Sequence, residues 1–404
     1  MSMHLTLWTS NAIAKSLRGQ FCGWLALVLC LSGCNESGPS EFPDANGIYH
    51  VYPGDSIQKA IDAAAASDGA KRVIVHAGIY RPMVEAQALI YFNARHDGVI
   101  VEALGDVILT AANPQLADRS SASYPAVVNH VVYFGDGISR STVLRDFKIT
   151  GANNFITRSD HPVCIEKLAT HSPLRKRLFF YSDGGGIKIF GRSYPTIEGI
   201  ELYNNYASPC AGGVSIENQG LNAQSPLLKD CIFRNNRSQV TGSAVDVLPG
   251  SAAELENCLF IDNIANTGED FVGQQSGNEH NKLHGSGALT VFRRSRARVV
   301  RCTFTGNWNG VDDKGIANVY KNCIFWQNTA TGGISAGDRY EIDILDGSGV
   351  SGCWIEGKII DLRKTINPVN NVLNAPDPEF DQAYEPLAKE YAGVGYRPQK
   401  QKKK

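Results

Sequence analysis

Four short runs in the middle of the chain open on glycine and then alternate apolar with polar residues: 184–189, 212–216, 242–247 and 285–291. In an extended strand, alternate side chains share a face. With Ile187/Ile189, Val214/Ile216, Val245/Val247 and Leu289/Val291 on one face, Lys188, Ser215, Asp246 and Thr290 fall in one column on the other. Asp312, from the adjacent pair Asp312 and Asp313, joins the column if its run is one residue shorter; Glu341 or Asp343 would follow. An amine, carboxylates and hydroxyls in single file are the residue types of general acid–base chemistry, and carboxylates in series also suit a hard cation. His171, His280 and His284 lie in irregular stretches that could carry them over this column. Arg293, Arg294, Arg296 and Arg298 crowd one turn. They could grip an anionic ligand or form an ordinary solvated turn.

The column needs a frame, and the sequence supplies one as a repeat. The motif KDCIFRNN at 229–236 recurs at 256–263, 300–307 and 321–328, with a divergent copy at 199–205. One position holds Ile200, Cys231, Cys258, Cys302 and Cys323; two residues on stand Leu202, Phe233, Phe260, Phe304 and Phe325. Five residues on, every copy has asparagine: Asn205, Asn236, Asn263, Asn307 and Asn328. A further copy at 353–355 keeps the apolar pair and loses the asparagine. A unit this short cannot bury its own apolar face, so copies must stack. In a parallel stack each residue lies about 4.8 Å from its equivalent. The expectation is therefore a core of laddered Phe and Cys, with turn asparagines that adopt left-handed angles and bond amide to amide. The offset from glycine run to Cys position is 13 residues in three coils, from Ile187 to Ile200, Val245 to Cys258 and Leu289 to Cys302. Insertions, the largest at 264–284, then emerge on one side.

The chain has 404 residues and a net charge of -1, which gives no support to nucleic-acid binding. Residues 1–34 carry Lys15 and Arg18 ahead of the apolar run 21–31, which is short for a membrane span. Its end, Leu31-Ser32-Gly33-Cys34, resembles the lipobox of bacterial lipoproteins. That resemblance implies export, lipidation of Cys34, and, with Asn35 rather than Asp next, an outer-membrane location. Residues 35–47 read as a polar tether. Cys164 and Cys210 lie off the repeat, and export makes a disulfide between them an expectation.

The opening of the domain, "PGDSIQKAIDAA" followed by "RVIVHAGIYRP" at 53–82, resembles the pectate-lyase-like right-handed β-helix proteins. The resemblance implies an all-β fold. It would be a single-domain right-handed parallel β-helix over 48–373, capped by an N-terminal helix with Asp55 as N-cap and Gln58 as its capping-box partner. Residues 374–404 would form a closing segment, with a "DP-x-F" run at 377–380, and a disordered basic tail. It also implies a polysaccharide as partner, bound by a monomer. Uronate β-elimination needs a base and a cation, roles that Lys188 and Asp246 could fill, with His284 over them and calcium held by Asp246, Asp312 and Asp313. Ser215, Thr290, Arg293, Arg294 and Arg296 would bind substrate. Hydrolysis would instead need two carboxylates about 5–9 Å apart. The chain departs from those enzymes in lacking the W-x-D-H, R-x-P-x-x-R, N-T-D and G-H-G signatures, so no catalytic motif carries over. A non-catalytic envelope protein, similar to the repeats of polymorphic outer-membrane proteins, is the alternative.

Overall fold

The computed structural model describes residues 43–157, 168–177, 180–268, 286–334 and 336–399. All lie in one compact unit, Pro39–Lys404. Their strands pair in parallel, forming one sheet of eighteen strands, one of nine and a two-stranded pair. The chain is a parallel β-helix. The nine-stranded sheet stacks the glycine-led strands, including Ile187–Phe190, Val214–Glu217, Val245–Val247, Leu289–Val291, Val311–Asp313 and Ile342–Asp346.

The helix Ile57–Ala66 buries Ile57, Ala60, Ile61 and Ala64 on one face, against the first coils. Its cap is Ser56, whose Oγ accepts from Lys59 N at 3.3 Å. Asp55, the expected cap, instead accepts from Tyr52 N at 3.0 Å. Gln58 makes no capping box. It ties the helix to the strand Ala86–Phe92 through Tyr91 N and Tyr91 O, at 2.7 and 3.2 Å.

Inside the stack the repeat behaves as its spacing demands. Phe233, Phe260, Phe304 and Phe325 lie ring on ring, with successive centroids 4.7, 4.3 and 5.1 Å apart and planes within 16° of parallel. Cys231, Cys258, Cys302, Cys323 and Cys353 are buried free thiols. They serve as small apolar side chains in a dry row.

The asparagine ladder differs from expectation in one respect. Left-handed angles fall on the residue before each ladder asparagine, at Asn204, Asn235, Asp262, Gly306 and Gln327. A second series precedes the Cys position, at Gly199, Asp230, Asn257, Arg301, Asn322 and Gly352. Two such residues bracket each three-residue strand and turn the chain at both ends. The ladder asparagines themselves point inward and carry hydrogen bonds. Nδ2 of Asn205, Asn236, Asn263 and Asn307 donates to Oδ1 of the next rung at 3.1, 3.1, 2.9 and 2.7 Å. The last rung, Asn328, donates its backbone N–H to Glu341 Oε1 at 2.9 Å and its Nδ2 to Glu341 Oε2. Glu341 thus ends the ladder and does not face outward.

The C-terminal segment returns along the outer face of the stack. Gly395 N bonds Asn322 O at 2.8 Å, Tyr396 N bonds Thr303 Oγ1 at 2.9 Å, and Arg397 N bonds Asn257 Oδ1 at 2.8 Å. At Gly395 a Cβ would come within 2.3 Å of Ile324 Cδ1, so the strap needs glycine there. Of the basic tail expected to be disordered, 397–404, the part through Gln399 is held here, Gln399 donating to Asp230, and 400–404 lie outside the described residues.

Candidate functional site

Strand register assembles the predicted column in full. Lys188 pairs with Ser215, Ser215 with Asp246, Asp246 with Thr290, Thr290 with Asp312, and Asp312 with Asp343. Tyr133 precedes Lys188 in the same file. The column does not, however, face an open groove. Lys188, Ser215 and Asp246 have no solvent exposure, and Thr290, Asp312 and Asp343 have at most 5%.

At one end the cover is visible. Leu174 and Phe180 pack on Tyr133 and Phe190, and bring Asp183 beside Lys188. Lys188 Nζ donates to Asp183 Oδ1 at 2.6 Å, Glu217 Oε2 at 2.8 Å and Ser215 Oγ at 3.3 Å. Ser215 Oγ donates to Asp183 Oδ2 at 2.8 Å. Burial favours a neutral amine, but the two carboxylates outweigh it and raise the Lys188 pKa. An ammonium held by two buried acids cannot accept a proton from a substrate, so Lys188 is a structural cation and not the expected base. Ser215 is likewise spent within this network. Beside it, His130 is fully buried and pushed down to about 3, first by burial and then by the Lys188 charge.

Asp246 accepts from Thr241 Oγ1 at 2.6 Å, and its Oδ1 is buried without a hydrogen-bond partner. Burial pushes its pKa up to about 7. Thr290 Oγ1 accepts from Gly242 N at 3.1 Å. Farther along, Lys314 Nζ sits between Asp312 Oδ1 and Asp343 Oδ1, at 2.8 and 2.7 Å. Burial, more than the pull of Lys314 can offset, lifts Asp312 to about 6.

Asp313 faces the opposite way. Alternation sends it into the coil, in register with Ile344, where it accepts from Asn318 Nδ2, Gly315 N and Tyr320 OH at 2.9, 2.7 and 2.8 Å. The expected calcium set of Asp246, Asp312 and Asp313 is therefore not formed. One acid points inward, and the Lys314 ammonium stands where a cation between Asp312 and Asp343 would be. Among the described residues no three His, Cys, Asp or Glu side chains converge to hold a metal.

His284, His280, Cys164 and Cys34 lie outside the described residues, and His171 is exposed. Of the expected disulfide, Cys164 lies outside the described residues and Cys210 is a free, buried thiol whose Sγ is 3.1 Å from Thr241 Oγ1. Sequence reasoning missed Asp183, Glu217 and Lys314. Glu217 and Lys314 stand two residues beyond Ser215 and Asp312, so strict alternation carried one step further would have placed both on this face.

These buried acids give the fold a defined pH dependence. Asp246, Asp312 and Glu341 hold their protons in the fold to about 7, 6 and 8, burial being the first cause in each. The ordinary values from which they are raised are 3.8 for the aspartates and 4.5 for the glutamate. Between the two values the unfolded chain binds fewer protons, so stability falls as pH rises from about 4 to about 8. The melting temperature is expected to be higher at pH 5.5 than at pH 8. Asp246→Asn should flatten that slope and raise stability at pH 8. A melting temperature indifferent to both changes would show that these acids are already ionised in the fold.

The arginine turn opens onto a different surface. A shallow groove of about 590 Å³ crosses the outer face of the strands Ala252–Glu256, Arg296–Val300 and Val319–Lys321. Ala252 and Ala253 lie along its floor, and Arg140, Glu254, Arg296 and Arg298 stand around them. Arg140 Nη2 pairs with Glu254 Oε1 at 2.9 Å and bonds Ser225 O at 3.0 Å. Arg296 is oriented by Asn222 O. In register, Arg298 lies between Glu254 and Val319, and Ile316 adds an exposed apolar edge. Arg293 and Arg294 are exposed on the same turn but do not line the groove.

Comparison with known proteins agrees with the coil geometry. The sequence model of the right-handed beta helix region matches residues 128–286, and the fold is a right-handed parallel β-helix. No curated protein sequence matches the chain. Among solved structures, the catalytic domain of a GH87 alpha-1,3-glucanase variant in complex with tetrasaccharides is similar at 10% identity and a TM-score of 0.30. The match covers 84% of this chain and 70% of that one. A nigerose complex of the same kind of domain gives 8% identity and a TM-score of 0.29, with the same coverage. Likeness at that level does not bear on the chemistry of this chain.

Proposed function

We propose that this chain is a lipid-anchored envelope β-helix that binds an acidic polysaccharide along the arginine groove without cleaving it. The observation that carries this reading is the contrast between the two surfaces. The column that could have done chemistry is buried, with Lys188 and Lys314 paired to its acids, whereas Arg296 and Arg298 stand open beside an alanine floor. Guanidinium groups bind carboxylate or sulfate in forked pairs, and small apolar residues between them let a sugar ring approach the sheet. Anchoring through Cys34 follows from the lipobox resemblance and places the chain in the envelope, where such polymers occur.

The test is a panel of uronate-bearing and neutral glycans with the full-length protein in detergent, with and without calcium. Binding should be confined to acidic glycans and weaken with salt. The pair Arg296→Ala and Arg298→Ala should reduce affinity at least tenfold, with no unsaturated or reducing ends formed. The acid pair Asp312 and Asp343 keeps a hydrolytic reading in view, because the two are direct neighbours across the sheet and Asp312 is raised. Release of reducing ends that Asp312→Asn abolishes would replace binding with hydrolysis.

A further inference from the structure

The first two coils carry a histidine pair outside both the column and the arginine groove. His50 lies on the strand Ile48–Val51 and His76 on its neighbour Arg72–Tyr80. Register sets Ile48 against Arg72 and His50 against Ile74, so His76 is two residues further on the same outward face. The two rings meet there edge to edge, with His50 Nδ1 2.9 Å from His76 Nε2. Two neutral imidazoles can hold that distance only if one donates its N–H to the lone pair of the other.

Two further contacts fix the rings. Asp44 Oδ2 lies 3.4 Å from His50 Nε2, on the side away from His76. A carboxylate there keeps the proton on Nε2 and leaves the Nδ1 lone pair facing the neighbouring ring. This is the outer partner that metal-bound histidines recruit. Asp44 is itself held, accepting from Asn46 N and Ile48 N at 2.8 and 2.9 Å. On the other side Tyr52 stacks on His76, with centroids 4.1 Å apart and planes 12° from parallel. The side chains of His50 and Asp44 are about one-third exposed, so the site opens to solvent.

We propose that His50 Nδ1 and His76 Nε2 form a binding site for one divalent transition-metal ion of the zinc or copper class. As the ion takes its place, His76 gives up the proton at Nε2 and takes one up from water at Nδ1, so both ligands remain neutral imidazoles, and water completes the coordination. The geometry needs little change: with metal–nitrogen bonds of about 2.05 Å, nitrogens 2.9 Å apart subtend about 90°, and a tetrahedral angle needs only about 0.4 Å more. Imidazole nitrogen suits zinc and copper, and not calcium or magnesium. The ion would staple the first coil to the second, beside the turn at Asp44 where the tether joins the solenoid.

The experiment is calorimetric titration of the untagged full-length protein in detergent with zinc chloride, at neutral pH. One saturable site per chain is expected. His50→Gln or His76→Gln should weaken it at least tenfold, and Asp44→Asn severalfold. His171→Gln, a change at an exposed histidine elsewhere, should leave it unchanged. Zinc should also raise the melting temperature of the parent protein and not of the His50→Gln/His76→Gln double variant, whose fold is checked by its circular dichroism. Absence of a one-to-one saturable event, or its survival in the double variant, overturns the proposal.

Discussion

Lys188→Ala is expected to lower the unfolding free energy by about 3–5 kcal/mol, among the larger effects available in this chain. The reason is the environment, not the lysine alone. Lys188 and Asp183 have fully buried side chains, and Glu217 is nearly so. Removing the ammonium leaves two carboxylates facing each other without water, and each must take up a proton or drag solvent inward. Lys188→Met restores the volume and not the charge, so it should be nearly as damaging. The triple change Lys188→Met, Asp183→Asn and Glu217→Gln removes all three charges and should recover much of the loss, because a buried ion network contributes little net stability over a neutral replacement. Denaturant titrations of the three variants give the answer. A Lys188→Met loss well under 1 kcal/mol would mean that the cluster is hydrated. Glycan binding by Lys188→Met, measured where it remains folded, should equal that of the parent.

The second large effect lies in the asparagine ladder. Asn263 Oδ1 accepts from Asn236 N and Asn236 Nδ2 at 2.9 and 3.1 Å, and its Nδ2 donates to Phe233 O and Asn307 Oδ1 at 2.9 Å each. Asn263→Ala strands two buried donors and takes a donor from two acceptors. Each buried donor left unpaired costs about 1–3 kcal/mol, so a total of about 3–5 kcal/mol is expected. The change at the last rung is a control that removes a titratable group. Glu341→Gln keeps one of the two acceptors of Asn328, sets its amide NH2 against the other Asn328 donor, and removes a carboxyl whose pKa burial raises to about 8. It should cost about 1–3 kcal/mol at pH 5.5, where one Asn328 donor loses its acceptor, and less at pH 8, where the buried carboxyl would otherwise ionise. Equal losses for Asn263→Ala and Glu341→Gln at pH 8 would show that the ladder's worth is packing alone.

The frame was legible because its physics is local and periodic. Phe233, Phe260 and Phe304 recur because identical rings stack at the coil spacing, and each Asn recurs because its amide bonds its own copy. The column from Lys188 to Thr290 was legible for the same reason, since alternation assigns a face once the glycine-led strands are aligned; Asp312 joined on a condition, and only the register chose Asp343 over Glu341. Alternation also separates Asp312 from Asp313, so the adjacent pair that looked chemical in sequence is split by the backbone onto opposite sides of the sheet. The residues that bear left-handed angles could not be read from composition alone, since Asn204 and Asn205 are the same amino acid with different tasks.

Sequence by itself determined the stacking, the interior and the face on which Lys188, Ser215, Asp246 and Thr290 sit. Only the tertiary structure decided whether that face meets water. The cover at Phe180 and the counter-charge at Asp183 arrive from a segment outside the repeat, and nothing in a coil's own pattern reports what an insertion folds back upon. The same holds for the arginine groove, where Arg140 and Arg296 are brought together by stacking coils whose sequences are far apart. A periodic pattern fixes direction, because direction is a property of the strand; exposure is a property of whatever else packs there.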